Sequence, residues 1–338
     1  MLKRWHSITE NINLFIHFVK KIVRKVFPYK PKTRGRPPKH DPEGYLTLLI
    51  AKEYDKKSLR GAEVRLSDLI CKERVDHSVI AYWEKKPEVT QQITHLVEEA
   101  GVILEQHLAY GFSVIDSTKF TSWIKNEVEI HVINRIAEGT VYPRSISFLT
   151  NRVAAPVEEA LPRGEKNLYA DAWYDVNDAM KVMFRRGYTP IICPHKERWK
   201  GHYRKKARKL YKNPINKLGY RQRGRGESCF GSLTNAYGDR MKTSSIQSTK
   251  TRTVARILAY QVRLLIRVTQ ELLGIIRHAP SRGIYLNKLF FVISWKSIYS
   301  WVLVFFFFCY ILNFDFFLDE KTIMIVYIEK LLNRISTK

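Results

Sequence analysis

The chain predicts an α/β fold: a mixed sheet with flanking helices, preceded by an all-α region. Three observations predict it. From residue 41 to about residue 108 the apolar residues recur at helical spacing. At Gly111 the period changes, and three successive segments alternate as strands do. An apolar run ending in Asp171, a helical segment and a second apolar run, Tyr188–Cys193, then form a β-α-β unit.

Residues 1 to about 30 read as an amphipathic basic helix. Phe15, Phe18, Ile22 and Val26 share one face, and Lys20, Lys21, Arg24 and Lys25 cover the other. Such a helix packs on its own domain or lies on a membrane. Prolines at 28, 31, 37, 38 and 42 then break the chain. Inside the break, residues 31–40 form a basic arm whose Arg34, Arg36 and Lys39 suit an A·T-rich minor groove; a solvated linker is the alternative. Asp41-Pro42 marks a helix start. Ser58 offers a cap to the segment 60–69, although Gly61 stands where a capping box wants Glu or Gln. Periodic segments follow at 78–84 and 90–108. Short helices with interspersed cations suit a helix-turn-helix-like DNA-binding module, and equally an ordinary bundle.

In the sheet region, Phe112–Asp116 reads as a short apolar strand ending in an acid. Glu129–Ile133 and Val141–Phe148 read as its antiparallel neighbours, and Val157–Leu161 as a helical turn. The strand of Asp171 follows, with Asp175 where an N-cap acid belongs and Asp178 three residues on, before a helix through Phe184. Three antiparallel strands followed by β-α-β is the order of the ribonuclease-H-like fold. Helical periodicity resumes from Glu227 to about Arg277.

Fifty-eight Lys and Arg against 32 acids give a net charge of +26, which calls for a polyanionic partner: nucleic acid or an anionic membrane surface. The densest cations lie between 196 and 225, including Arg221, Arg223 and Arg225, with aromatic residues interleaved. Charge runs are usually solvated faces, but this one leads directly into Glu227. Cys71, Cys193, Cys229 and Cys309 are scattered without zinc-ligand spacing and read as reduced residues of a cytoplasmic protein. The amino terminus lacks the pattern of a signal peptide. Ser297–Phe314 is an uncharged run of 18 residues, at the lower limit of a membrane span. The expected organisation is a helical DNA-binding region at 1–108, a catalytic domain at 109–278, and a hydrophobic tail at 279–338 outside the working fold.

Asp116, Asp171 and Glu227 are the candidate catalytic and metal-holding acids. Displacement at phosphorus uses two divalent ions about 4 Å apart, and magnesium or manganese takes oxygen ligands from converging elements. Singly, each acid reads as a cap or a surface group; as an ordered set they carry more. Val114-Ile-Asp-Ser-Thr118, Tyr169-Ala-Asp-Ala-Trp-Tyr-Asp175 and the run Tyr220, Arg223, Glu227-Ser-Cys-Phe-Gly-Ser-Leu233 resemble the DDE transposases of prokaryotic insertion sequences. The resemblance is to the group with a Tyr-Arg-Glu-Lys signature and extends from about Gly35 to Arg267.

It implies a ribonuclease-H-like core, two Mg²⁺ ions with Mn²⁺ able to substitute, and cut-and-paste movement in the cytoplasm at the nucleoid. Asp116, Asp171 and Glu227 become the metal triad, while Tyr220 and Arg223 contact phosphates. The partners implied are double-stranded DNA, at the terminal inverted repeats and at the target, and a second copy in a homodimeric synaptic complex. Tyr220, Arg223 and Glu227 share a helical face if the helix extends back past Gly224 and Gly226; otherwise Tyr220 sits on a loop. Asp175 is the rival to Asp171. The signature lysine is absent: Thr234 stands in its place, so either Arg240 or Lys242 substitutes or a phosphate contact is missing. Fifty-five residues between Asp171 and Glu227 leave no room for a β-rich insertion. The alternatives are a catalytically decayed DNA-binding remnant, a nuclease that cuts without joining, and a membrane-anchored protein resting on Ser297–Phe314.

Overall fold

The computed structural model describes residues 11–28, 41–149, 154–195 and 200–272. The basic arm with Arg34, Arg36 and Lys39, the tail with Ser297–Phe314, and Cys309 lie outside them. The first helix, α1 (Ile12–Val26), is capped by Asn11 and buries Phe15, Ile16, Phe18, Val19, Ile22 and Val23. Phe15 stacks on Tyr54 at 3.8 Å, so the apolar face packs on the chain's own helices. Asp41 caps α2 (Pro42–Tyr54) by accepting from the Gly44 amide. Ser58 caps α3 (Leu59–Arg65) without a capping box. Next come α4 (Ser67–Cys71), α5 (His77–Glu84) and the long α6 (Pro87–His107). No helix among the described residues is long and apolar enough to cross a membrane.

The sheet is six-stranded and mixed. Strands β1 (Tyr110–Ser122), β2 (Glu127–Ala137) and β3 (Thr140–Phe148) form an antiparallel meander. After α7 (Ala154–Ala160), β4 (Asn167–Ala170) pairs parallel with β1; after α8 (Asn177–Arg185), β5 (Thr189–Ile192) pairs parallel with β4. The order is β3-β2-β1-β4-β5, a mixed sheet of ribonuclease-H-like type. The chain continues through α9 (His202–Lys212), α10 (Pro214–Tyr220), a 3-10 turn (Arg221–Gly226) and α11 (Glu227–Tyr237). Strand β6 (Arg240–Met241) joins the far end of β1, and α12 (Ile246–Leu272) closes the described chain.

Two expectations are corrected here. The first strand does not end at Asp116: Thr118, Phe120 and Ser122 keep it paired with β2 and β6, so Asp116 lies mid-strand. The expected helix from Glu227 to Arg277 is two helices, because Gly238 adopts φ 76°, a left-handed turn that admits β6.

The sheet has two covered faces. Ile115, Ile133, Leu168, Ala170 and Ile192 bury themselves against α7, α8 and α9. At the other face, Gly101 of α6 lies so close to β3 that a side chain there would overlap the Arg144 carbonyl. A buried ion cluster joins the helical region to α12. Glu53 of α2 receives Arg252 at 2.7 Å and Arg256 at 2.8 Å, and Lys52 reaches Glu84 at 2.8 Å. Burial alone would raise the Glu53 carboxyl, but Lys52, Arg252 and Arg256 outweigh it and hold it well below the ordinary range. The same arginines donate to the Lys242 and Gly238 carbonyls, at 3.1 and 2.8 Å, which fixes the turn after α11.

Candidate active site

Parallel pairing of β1 with β4 sets the site. Val114 lies beside Tyr169 and Ile115 beside Ala170, so the next step along both strands puts Asp116 beside Asp171. Asp171 has left the strand but keeps an extended backbone, φ −76° and ψ 177°. Its carboxylate accepts from the Trp173 amide at 2.9 Å and caps a 3-10 turn, Ala172–Tyr174.

That turn is anchored from beneath. Tyr174 is buried, and its hydroxyl lies 2.6 Å from His131 Nδ1. The Trp173 ring stacks on the same imidazole at 5.0 Å, 18° from parallel. His131 is only 1% exposed, and burial lowers its pKa, which favours the neutral ring. His131, Trp173 and Tyr174 escaped the sequence reading; the Asp-Ala-Trp-Tyr run beside Asp171 was the available signal.

Glu227 approaches from the opposite side. From Pro214 to Tyr237 the chain is helical throughout, the two glycines being absorbed in the 3-10 turn, so Tyr220 is helical and not on a loop. Gly226 is what lets this run touch the sheet: a Cβ there would meet the Val114 side chain at 2.7 Å. Asn134 of β2 reaches the Gly226 carbonyl at 3.5 Å. Glu227 opens α11, near enough for its charge to act on Asp116. Arg223 lies between them, 3.5 Å from the Asp116 carboxylate and 3.4 Å from that of Glu227.

The electrostatics follow from this crowding. Burial raises the Asp116 carboxyl above its ordinary value, and the charges of Asp171 and Glu227 push it the same way. Arg223 and the Ser117 amide pull it down without prevailing. Two of the three carboxylates, Asp116 and Glu227, thus share one guanidinium. The donor set is hard oxygen, as a magnesium or manganese site requires. The three are gathered but not closed: the only acid and histidine group among the described residues with ligand atoms within 4.8 Å of one another is Glu63, Asp76 and His77. In that group Glu63 is already taken by Arg74 at 2.6 Å and His77 at 2.9 Å. Two ions about 4 Å apart span more than one such sphere, and the Glu227 side chain, 60% exposed, is free to turn.

The remaining residues divide. Tyr220 meets Tyr169 and Tyr211 edge-on at 6.4 and 5.3 Å, on the rim beside Asp171. Arg221 is exposed on the same rim. Arg225 turns away, donating to the Ala137 carbonyl at 3.3 Å and lying over Phe112. The Thr234 hydroxyl turns back onto the Phe230 and Gly231 carbonyls. Arg240 pairs beside Thr121, five residues along β1 from Asp116, and Lys242 lies over the Trp123 ring at 4.9 Å. Asp175 is a correction: it caps no helix. The N-cap of α8 is Val176, and Asp175 is fully buried, gripped by Arg204 at 2.7 and 2.9 Å and by the His195 amide. An ion pair that deep needs both partners in place, so Asp175 serves the fold.

A family model described as a transposase DDE domain matches residues 150–262, about a third of the chain. The matched stretch holds Asp171 and Glu227 and is consistent with a DDE transposase; Asp116 and the amino-terminal helices precede it. No curated protein and no solved structure matches the chain.

Proposed function

We propose that this chain is a DNA transposase that binds the ends of its element, cleaves the strand there and joins the freed 3′-hydroxyl to target DNA. The observation that carries the reading is the register of β1 with β4, which sets Asp116 and Asp171 side by side beneath Glu227. Asp116, Asp171 and Glu227 would hold two magnesium ions, with manganese able to replace them. Bound there, the metal would lower the pKa of the attacking hydroxyl or water and neutralise charge on the leaving oxygen.

The chain's own residues do the rest. The 3-10 turn clamped by His131 fixes Asp171 at the strand end. The helical run after Pro214 brings Tyr220 and Arg221 to the rim, where a phosphate on its way to the carboxylates would pass them. Arg223 neutralises part of the carboxylate charge and is available to a scissile phosphate once metal replaces it. Arg34, Arg36 and Lys39, in the arm before α2, supply further backbone contact. The +26 charge supports duplex DNA as substrate, and synapsis of two ends calls for a dimer.

The test is a magnesium-dependent cleavage and strand-transfer assay on duplexes carrying the inverted repeats that flank the gene. Asp116→Asn, Asp171→Asn and Glu227→Gln should each abolish both products while end binding persists. Activity surviving in one of them removes that residue from the triad. A second reading, a decayed copy that binds ends without cutting, is favoured by Thr234, whose side chain offers no cation. It predicts wild-type binding with no cleavage, and cleavage restored by Thr234→Lys.

A further inference from the structure

The hairpin joining β1 to β2 ends in two apolar side chains that the core does not use. Trp123 is 65% exposed and Ile124 56% exposed. The tip beneath them is firmly built. The Ser122 amide donates to Asn126 at 2.8 Å, and the Asn126 amide donates back to the Ser122 hydroxyl at 3.0 Å. Lys125 takes a left-handed turn at φ 60°. On its other side the tip is held by β6, with the Trp123 amide donating to the Met241 carbonyl at 3.1 Å. Phe120, Val128 and Met241 are buried just below. A rigid ribbon therefore presents an indole and an isoleucine to solvent, which is costly unless something covers them.

The fringe of the tip identifies the partner. Lys242 lies over the Trp123 ring, and Lys125 and Arg240 are exposed beside it; none of the three forms an ion pair with a carboxylate among the described residues. Lys119 is offset by Glu127 and Glu129, at 3.5 and 3.7 Å, and Asp239 is the remaining exposed acid nearby. A second copy of a chain with a net charge of +26 is a poor complement to such a tip, and a polyanion is a good one.

We propose that the β1–β2 hairpin tip is a DNA-binding element separate from the carboxylate site: Trp123 and Ile124 enter the duplex as an apolar wedge while Lys125, Arg240 and Lys242 hold the phosphates on either side. Wedges of this kind part a base step and stack on the exposed base. The inference rests on the transposase reading for its partner. It also gives a distance. Trp123, the first residue past β1, lies seven residues from Asp116, roughly 23 Å at about 3.3 Å per residue, or about seven base pairs of duplex at ~3.4 Å each.

The experiment measures binding of the full chain to a 40-base-pair duplex, intact or with a two-nucleotide mismatch bubble, by fluorescence anisotropy without divalent metal. Wild type should prefer the bubble, where the step is already open. The double variant Trp123→Ala/Ile124→Ser, with an unchanged melting temperature because both side chains are exposed, should lose that preference and bind the bubble about tenfold more weakly. Lys125→Ala/Lys242→Ala should instead weaken both duplexes alike and flatten the salt dependence. Wild-type affinity and preference in the double variant overturn the proposal, as does a change confined to the monomer–dimer equilibrium, which would assign the tip to a second copy. Failure of wild type to bind either duplex defeats the transposase reading and the wedge together. Normal binding by Asp171→Asn beside a silent double variant defeats the wedge alone.

Discussion

Arg223 lies 3.5 Å from the Asp116 carboxylate, inside the space that a metal ion shared with Glu227 would occupy. If the proposed metal site holds, guanidinium and divalent cation compete for the same oxygens. Removing the guanidinium leaves the carboxylates more negative. Arg223→Ala should bind Mn²⁺ several-fold more tightly, read from the free-ion electron paramagnetic resonance signal, while cleaving more slowly for want of a phosphate contact. Weaker Mn²⁺ binding would mean that Arg223 holds the acids in place instead of standing in for the metal.

Asp116 gives a pH dependence of definite sign. Its folded carboxyl titrates above the ordinary 3.8, because burial outweighs the Ser117 amide and Arg223, with Asp171 and Glu227 adding smaller upward pushes. Well below that value it is protonated in folded and unfolded chains alike and contributes nothing. As the pH rises, the unfolded chain releases its proton first, and stability falls until the folded carboxyl has ionised too. Metal-free Asp116→Asn should therefore melt no lower than wild type at pH 7, with the two curves meeting in acid. Saturating Mg²⁺ should raise the wild-type midpoint and leave the variant behind. A variant that melts lower than wild type throughout would show that ionised Asp116 stabilises the fold through Arg223.

His131 tests the anchoring of Asp171. It touches the turn through Tyr174 and Trp173 and not through the carboxylate itself. His131→Phe keeps a stacking ring and loses the 2.6 Å contact with the Tyr174 hydroxyl. The strand should survive, and Mn²⁺ affinity should drop about tenfold, the effect typical of residues that orient a metal ligand. Unchanged Mn²⁺ affinity would reduce His131 to ordinary core packing.

The sequence made the ladder legible where period alone decides. The alternation of Glu129–Ile133 and Val141–Phe148, and the apolar runs around Asp171 and Cys193, gave the strands and their order. The continuation of β1 past Asp116 was hidden, because Ser117–Ser122 is polar everywhere but Phe120 and its partner β6 is two residues long. The break after Tyr237 was hidden because one glycine decides it. The grouping of Asp116, Asp171 and Glu227 was readable only as an ordered set of motifs. The reach of Arg223 to Asp116 and of His131 to Tyr174 joins residues far apart in the chain, which no local pattern records.

Asp175 and Asp171, four residues apart, were rivals in sequence, with Asp171 the favoured metal ligand, and are opposite in structure. Asp175 is fully buried against Arg204, which is itself 5% exposed. Burial opposes its charge, but the Arg204 bonds, the His195 amide and Arg208 overcome that and hold the carboxyl below its ordinary 3.8. An acid with a depressed folded pKa contributes stability above the unfolded value and loses it as the pH falls through the folded one, so this contribution fades only below about pH 4. Asp175→Ala strands a buried guanidinium, at a cost of about 3–5 kcal/mol, or roughly 4–7 °C in melting temperature for a chain of this size. Below its midpoint it should still bind Mn²⁺. Asp171→Asn should do the reverse, melting near wild type with Mn²⁺ binding lost. The two measurements on the two variants reverse if the metal-holding acid has been assigned to the wrong aspartate.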